Sequence, residues 1–286
     1  MPGGFGAFCN GEKIMKITPQ ELFEVGAHIG HQRRRWNPKT RPYIFDHRNG
    51  ITIIDLVKTC KQIEDACEVA KNVVSGGGDI WFVGTKKQAK DVMKEGATAV
   101  DMPFCVNRWL GGTLTNFQTV ERSLNKYKKF LRLEESGDLA KMHKKEAAAI
   151  KREMNRMHSN FEGLMKVEEL PGALFVIDVL QEHIAVAEAR KIGIPVMAVV
   201  DTNSDPTVVD YPIMCNDDSM KAIRMVIGLL IEGIQEGISI RGERKSSKRK
   251  LISSKDLVKI EPEVSVSEEI LKEADSKCDE ETVDSE

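Results

Sequence analysis

The chain has 286 residues, 41% of them hydrophobic and 30% charged, with a formal net charge of -2, and at this length it can bury a core without covalent staples. Six cysteines with no CxxC pair exclude a disulfide framework and the usual zinc-ligand spacings, and suit a reducing, cytosolic-type compartment. No stretch approaches the ~20 apolar residues that cross a bilayer, and the opening MPGGFGAFCNGEKIMKITPQ lacks the charged-then-apolar pattern of a secretory leader, so a soluble protein is expected.

In chain order, residues 1–15 read as an N-terminal extension. Thr18-Pro19-Gln20-Glu21 offers an N-cap, a proline at the first helical position and a capping-box glutamate, which predicts a short helix ending near Gly26. Residues 31–50, HQRRRWNPKTRPYIFDHRNG, follow as a loop, because Pro38 and Pro42 remove donors and hold the preceding residues extended. ITIIDL predicts a strand ending at Asp55, which then caps a helix. Along that helix Leu56, Cys60, Ile63, Cys67, Ala70 and Val74 recur at three and four, so Cys60 and Cys67 are expected in a core rather than on a metal. The helix stops at Gly76-Gly77-Gly78.

DIWFVG, PFCV, ALFVID and IPVMAVVD are short apolar runs of buried-strand type. Between and after them lie KKQAKDVMKEGA, which Thr85 is expected to cap, then QEHIAVAEARKIG, then DDSMKAIRMVIGLLIEGIQEG with an Asn216-Asp217 start. The alternation predicts an α/β core with a doubly wound parallel sheet, built from residues 16–115 and 165–240. Residues 116–164 break the pattern with charged sequence that has hardly any strand signal. A helix stop and a cap at Ser136-Gly137-Asp138 divide it into two antiparallel helices of about five turns each. Leu124, Tyr127, Leu131, Leu139, Met142, Ile150, Met154 and Met157 would supply the seam. Both helices are too charged to be covered on two sides, so an inserted helical hairpin, a protruding coiled-coil arm, is expected. Residues 241–286, basic and then acidic, read as a disordered tail.

Charge is segregated along this order. Residues 251–286 carry twelve acidic side chains against four lysines, which leaves the rest of the chain at +6. Residues 31–48 hold Arg33, Arg34, Arg35, Lys39, Arg41 and Arg48 against Asp46, and residues 121–160 hold eleven basic against six acidic residues. A basic body with an acidic extension suits a binder of polyanions, although any one patch taken singly also fits ordinary solvated charge.

Catalytic and nucleotide readings find little support. VGTKKQAK follows a strand but lacks the G-x-x-x-x-G-K-[ST] spacing that wraps a phosphate, and the glycine triplet precedes a strand instead of joining a strand to a helix. His28 and His31 can offer two imidazoles to a metal, with no third ligand near in sequence. Asp178 and Asp201 end their strands, where either a catalytic acid or a helix cap belongs, and His183 has no identifiable proton-transfer partner. The positive signal is a recipe for RNA. Arg33, Arg34, Arg35, Lys39 and Arg41 can neutralise phosphates, Trp36 and Tyr43 can stack on bases, and Asn37 can bond base edges. VNRWLGGTLTN repeats it with Asn107, Arg108 and Trp109 beside a glycine pair that permits close backbone approach. For Trp36 and Trp109, core packing competes evenly with stacking.

In these stretches the chain resembles a known family. GAHIGHQRRRWNPKTRPYIF, FVGTKKQA, NRWLGGTLTN, ALFVID, GIPVMAVVDTNSDPTVVDY and NDD, in that order, closely resemble the bacterial-type small-subunit ribosomal protein S-two family over about residues 16–240. The resemblance implies a flavodoxin-like or Rossmann-like domain with an inserted helical hairpin and no enzymatic activity or cofactor. It also implies a place between head and body of the small ribosomal subunit, bound to rRNA and helping to dock the large ribosomal protein S-one, with no membrane and no homo-oligomer. The chain departs from the pattern in its first fifteen residues, in IMCNDD where Pro-Gly usually precedes Asn-Asp-Asp, and in a longer, more acidic tail. Against this stand two rivals: an enzyme with a site at the sheet's end, and a free RNA-binding module that never resides in ribosomes.

Overall fold

A computed structural model describes residues 17–257 of the chain. The N-terminal extension and most of the acidic tail lie outside the described residues. The chain divides into two units, Met1–Arg241 and Gly242–Glu286, and both sheets belong to the first.

The first unit begins with α1 (Pro19–Glu24), whose capping box forms as expected: Thr18 Oγ1 accepts from the Glu21 N–H, and Glu21 accepts from the Thr18 N–H. Next come β1 (Ile29–Gln32), β2 (Ile44–Arg48), β3 (Ile51–Ile54), and α2 (Leu56–Ser75) capped by Asp55. Residues 31–50 are therefore not simply a loop. β1 and β2 both pair antiparallel with β3 to form a three-stranded sheet, and two 3-10 turns, Arg33–Arg35 and Pro38–Tyr43, connect β1 to β2. The prolines are compatible with this because Pro38 opens the second turn, where no N–H is needed. A legible signal marks the β2–β3 hairpin: Asn49 and Gly50 both adopt positive φ, 49° and 75°, as a two-residue type I′ turn demands.

The larger sheet contains β4 (Ile80–Val83), β5 (Phe104–Cys105), β6 (Ala173–Ile177), β7 (Val196–Val200) and β8 (Tyr211–Met214), with α3 (Lys90–Ala99), α4 (Phe117–Glu135), α5 (Asp138–Lys141), α6 (Lys144–Phe161) and α7 (His183–Ile192) interspersed, and α8 (Met220–Leu257) last. All neighbouring strands are parallel, in the order β5-β4-β6-β7-β8. Counted within this sheet the order is 2-1-3-4-5, the flavodoxin-like winding. Every residue of β4, β6 and β7 is buried, so alternate residues feed two cores. Ile80, Phe82, Phe175 and Met197 pack with α2, α3 and α8, while Trp81, Leu174, Val176 and Ala198 pack with α7 and the base of the α4/α6 pair. The fold is a doubly wound α/β sheet.

Two local features depart from the sequence reading. α3 starts at Lys90 and not behind Thr85, because the Thr85 N–H and hydroxyl are both committed to Glu182. β8 was not anticipated, since Pro212 interrupts it; as an edge strand it can lack one donor. Where the family usually has Pro-Gly, Met214 closes β8 and the Cys215 N–H donates to the Val200 carbonyl, 3.2 Å away. α8 itself is helical from Met220 to Leu257.

α4 and α6 lie against each other with Leu124, Tyr127, Met154 and Phe161 buried between them or against the sheet. Tyr127 and His158 share a 2.6 Å hydrogen bond across this pair. No described side chain from Lys128 to Glu153 is buried. The distal half therefore packs only helix to helix, and Gly137 turns the chain at φ 73°.

Candidate nucleic-acid interface

The basic segment is held by its backbone, which leaves its charges outward. The His31 N–H donates to Thr202 Oγ1 at 2.9 Å, the Arg33 N–H to the Gly50 carbonyl at 2.9 Å and the Asn37 N–H to the Thr202 carbonyl at 2.9 Å. These bonds lay residues 31–37 across the carboxyl end of β7. Gly30 permits the approach: a Cβ there would fall 2.6 Å from Thr202 Cγ2. Arg33, Arg34, Arg35 and Arg41 are exposed, and among the described residues no carboxylate pairs with them; Arg34 Nε donates only to Gln32, at 2.9 Å. Charges presented without internal partners are available to phosphates.

The remaining residues of this segment have partly internal duties. Trp36 is half-buried, with its Nε1–H donating to Thr40 Oγ1 at 2.8 Å and its ring edge-on to His47. Asn37 Oδ1 accepts from the Lys39 N–H at 3.0 Å, capping the second 3-10 turn. Lys39 is paired at 2.5 Å with Asp205, so its charge is largely answered within the protein. Tyr43 packs against the second core. Sequence reasoning missed Phe45, 69% exposed on β2 among these cations. Such a ring offers a stacking face.

The second motif has a different fate. Trp109 is 6% exposed, a core residue rather than a stacking platform. Its loop wraps the Glu188 carboxylate, which accepts from the N–H groups of Gly112 (2.6 Å), Leu114 (2.9 Å) and Thr115 (3.2 Å) and lies 3.5 Å from Trp109 Nε1. Burial alone would push this carboxyl up, but those N–H groups outweigh burial and hold it below the ordinary glutamate range. Gly112, at φ 92°, serves this wrapping by turning its N–H to the carboxylate. Asn107 Nδ2 donates to the Ser159 carbonyl at 2.7 Å, tying the loop to α6. Of the predicted trio only Arg108 presents an exposed side chain with no side-chain partner among the described residues. It follows β5 at one edge of the sheet, whereas the arginine segment crosses the end of β7, so the structure does not merge the two motifs into one patch.

The predicted histidine pair also separates. The His28 ring stacks on Phe23, at 4.2 Å between centroids, and burial lowers its affinity for a proton. His31 turns to the sheet, its Nδ1 2.9 Å from Asp201 Oδ2. The hydrogen bond that its ring N–H donates to the Asp201 carboxylate raises the His31 pKa. Lys86 lies beside them, 2.7 Å from both Asp217 and Asp218. His183 sits at the start of α7 with Nδ1 3.1 Å from the Leu180 carbonyl.

Known proteins bear on this arrangement. The family model described as "Ribosomal protein S2" matches residues 22–237. The "Small ribosomal subunit protein uS2" of Opitutus terrae (strain DSM 11246 / JCM 15787 / PB90-1) is 52% identical over 234 residues, covering 82% of this chain and 78% of that protein. The match runs through the basic segment, all five parallel strands and the helical pair, so the chain belongs to the ribosomal protein S2 family.

Proposed function

We propose that this small-subunit ribosomal protein binds rRNA between the head and body of the subunit through its arginine segment, and that it helps dock the large ribosomal protein S-one in support of translation. The observation that carries the reading is the set of four exposed arginines without carboxylate partners among the described residues, on a backbone pinned to the sheet. Arg33, Arg34, Arg35 and Arg41 neutralise phosphates, with Lys39 secondary; Trp36 and Asn37 add stacking and edge contacts. Arg108, and the exposed Lys129, Arg132 and Arg156 on the helical pair, extend the contact to further RNA. In this reading the α/β domain, residues 16–115 and 165–240, carries the segment, residues 116–164 act as an arm, and residues 241–286 form the tail. The protein works as a ribosome-bound, cytoplasmic constituent without catalysis.

Gradient sedimentation of a lysate containing the tagged protein, at low magnesium to separate the subunits, tests this. Near-complete, moderately salt-resistant migration with the small subunit supports it. Migration as a free protein overturns it.

A further inference from the structure

We infer that His31, Asp201 and Asp217 form a binding site for one divalent transition-metal ion of the zinc class, at the carboxyl edge of the parallel sheet. The three side chains each bring one donor atom to within 4.8 Å of the others. They come from β1, from the end of β7 and from the residues after β8, so the site exists only in the folded chain.

Unmet bonding capacity singles this cluster out. Asp201 is 1% exposed and Asp217 0%. Asp201 Oδ1 accepts from the N–H and hydroxyl of Thr202, and Asp217 Oδ1 accepts from Lys86 Nζ at 2.7 Å. The other oxygens face inward. Asp217 Oδ2 is buried and has no hydrogen-bond donor among the described residues, and Asp201 Oδ2 has only the imidazole nitrogen against it. A fully buried carboxylate oxygen without a donor calls for a proton, a water or a cation.

Charge narrows the choice. Asp178, Asp201 and Asp217 are all buried at this edge, and Lys86 is the ammonium that faces them, 3.8 Å from Asp178. With His31 neutral, as ligation requires, three buried carboxylates face one lysine that the half-exposed Asp218 also shares at 2.7 Å, and a divalent ion offsets most of this local excess of negative charge. The same acidity repels the phosphates that sheets of this winding often hold at their carboxyl ends.

Backbone geometry protects the constellation. The glycine at position 30 and the 2.9 Å bond from the His31 N–H to Thr202 fix the imidazole over Asp201. Asp178 is held at φ 66°, an uncommon conformation for a residue with a side chain. One imidazole and two carboxylates, completed by a water, make a tetrahedral set suited to zinc, whereas magnesium prefers six oxygens in an octahedron. Because His31 lies two residues before Arg33, an ion here would also clamp the root of the arginine segment to the sheet.

The test uses the full-length protein, stripped with chelator and titrated with zinc chloride, alongside His31→Gln and Asp217→Asn. One equivalent bound per chain, retained against millimolar magnesium and weakened at least about tenfold in either variant, is the expected result. X-ray absorption of the zinc-loaded wild type should show a first shell of nitrogen and oxygen with a single imidazole, and that readout stands even if the variants lose their native circular dichroism. No zinc binding, displacement by magnesium, unchanged affinity in folded variants, or sulfur in the first shell would each overturn the assignment.

Discussion

Residues 33–37 and 107–112 use nearly the same letters, arginine, tryptophan and asparagine, yet the fold treats them in opposite ways. In the first segment the backbone makes the attachments, to Thr202 and Gly50, and the guanidinium groups remain outside. In the second, a buried glutamate collects three backbone N–H groups and draws the tryptophan into the core. What separates them is an internal acceptor. A motif surrounding a buried carboxylate becomes structure, and one whose cations meet no carboxylate stays available for a ligand.

Substitutions can break or sharpen that contrast. Trp109→Ala should cost about 4 kcal/mol of stability by leaving a cavity, read as a shift of the urea midpoint, with any loss of ribosome incorporation following from unfolding. Glu188→Gln should cost about 2–3 kcal/mol, because charge-assisted bonds to buried N–H groups are lost. It should also alter the acid response. The Glu188 carboxyl is held below its ordinary value of 4.5, so its contribution is present above that value and disappears as pH falls through the depressed one. The variant should therefore lose less stability than wild type between pH 5 and pH 3 in urea titrations, these limits being set on the order of the carboxylate range. An equally steep acid loss in the variant would remove Glu188 as the clamp.

The arginine segment should show the reverse profile. Arg33→Ala combined with Arg34→Ala should leave the thermal midpoint nearly unchanged and lower the salt slope of rRNA binding by about 2; an unchanged slope would sink the phosphate assignment. Trp36→Ala should weaken binding by about 1–3 kcal/mol if its ring stacks on a base. The accompanying stability loss should stay near ~1 kcal/mol, the value of its bond to Thr40.

The candidate site was legible only in part. Three consecutive arginines are visible without a structure, and so is the loop chemistry of Pro38 and Pro42. Whether a cation is already neutralised is not visible, because Asp205 lies 166 positions beyond Lys39. Burial of Trp109 depends on Glu188, 79 positions away. The three-stranded sheet was partly readable, since Asn49-Gly50 is a hairpin signal between β2 and β3, but β1 pairs with β3 across the entire arginine segment.

What the amino-acid order determined alone is local or periodic: the capping box at Thr18, the apolar face of α2, the two-sided burial of β4, β6 and β7, and the turn at Gly137. These follow from hydrogen bonding within a few residues and from apolar spacing, which do not depend on distant partners. Only the tertiary structure decided the strand order 2-1-3-4-5, the edge position of β8, the capture of Trp109 and the meeting of His31 with Asp201 and Asp217. Each of those joins residues far apart in the chain, and such pairings depend on which surfaces the core brings together, a property no single stretch contains.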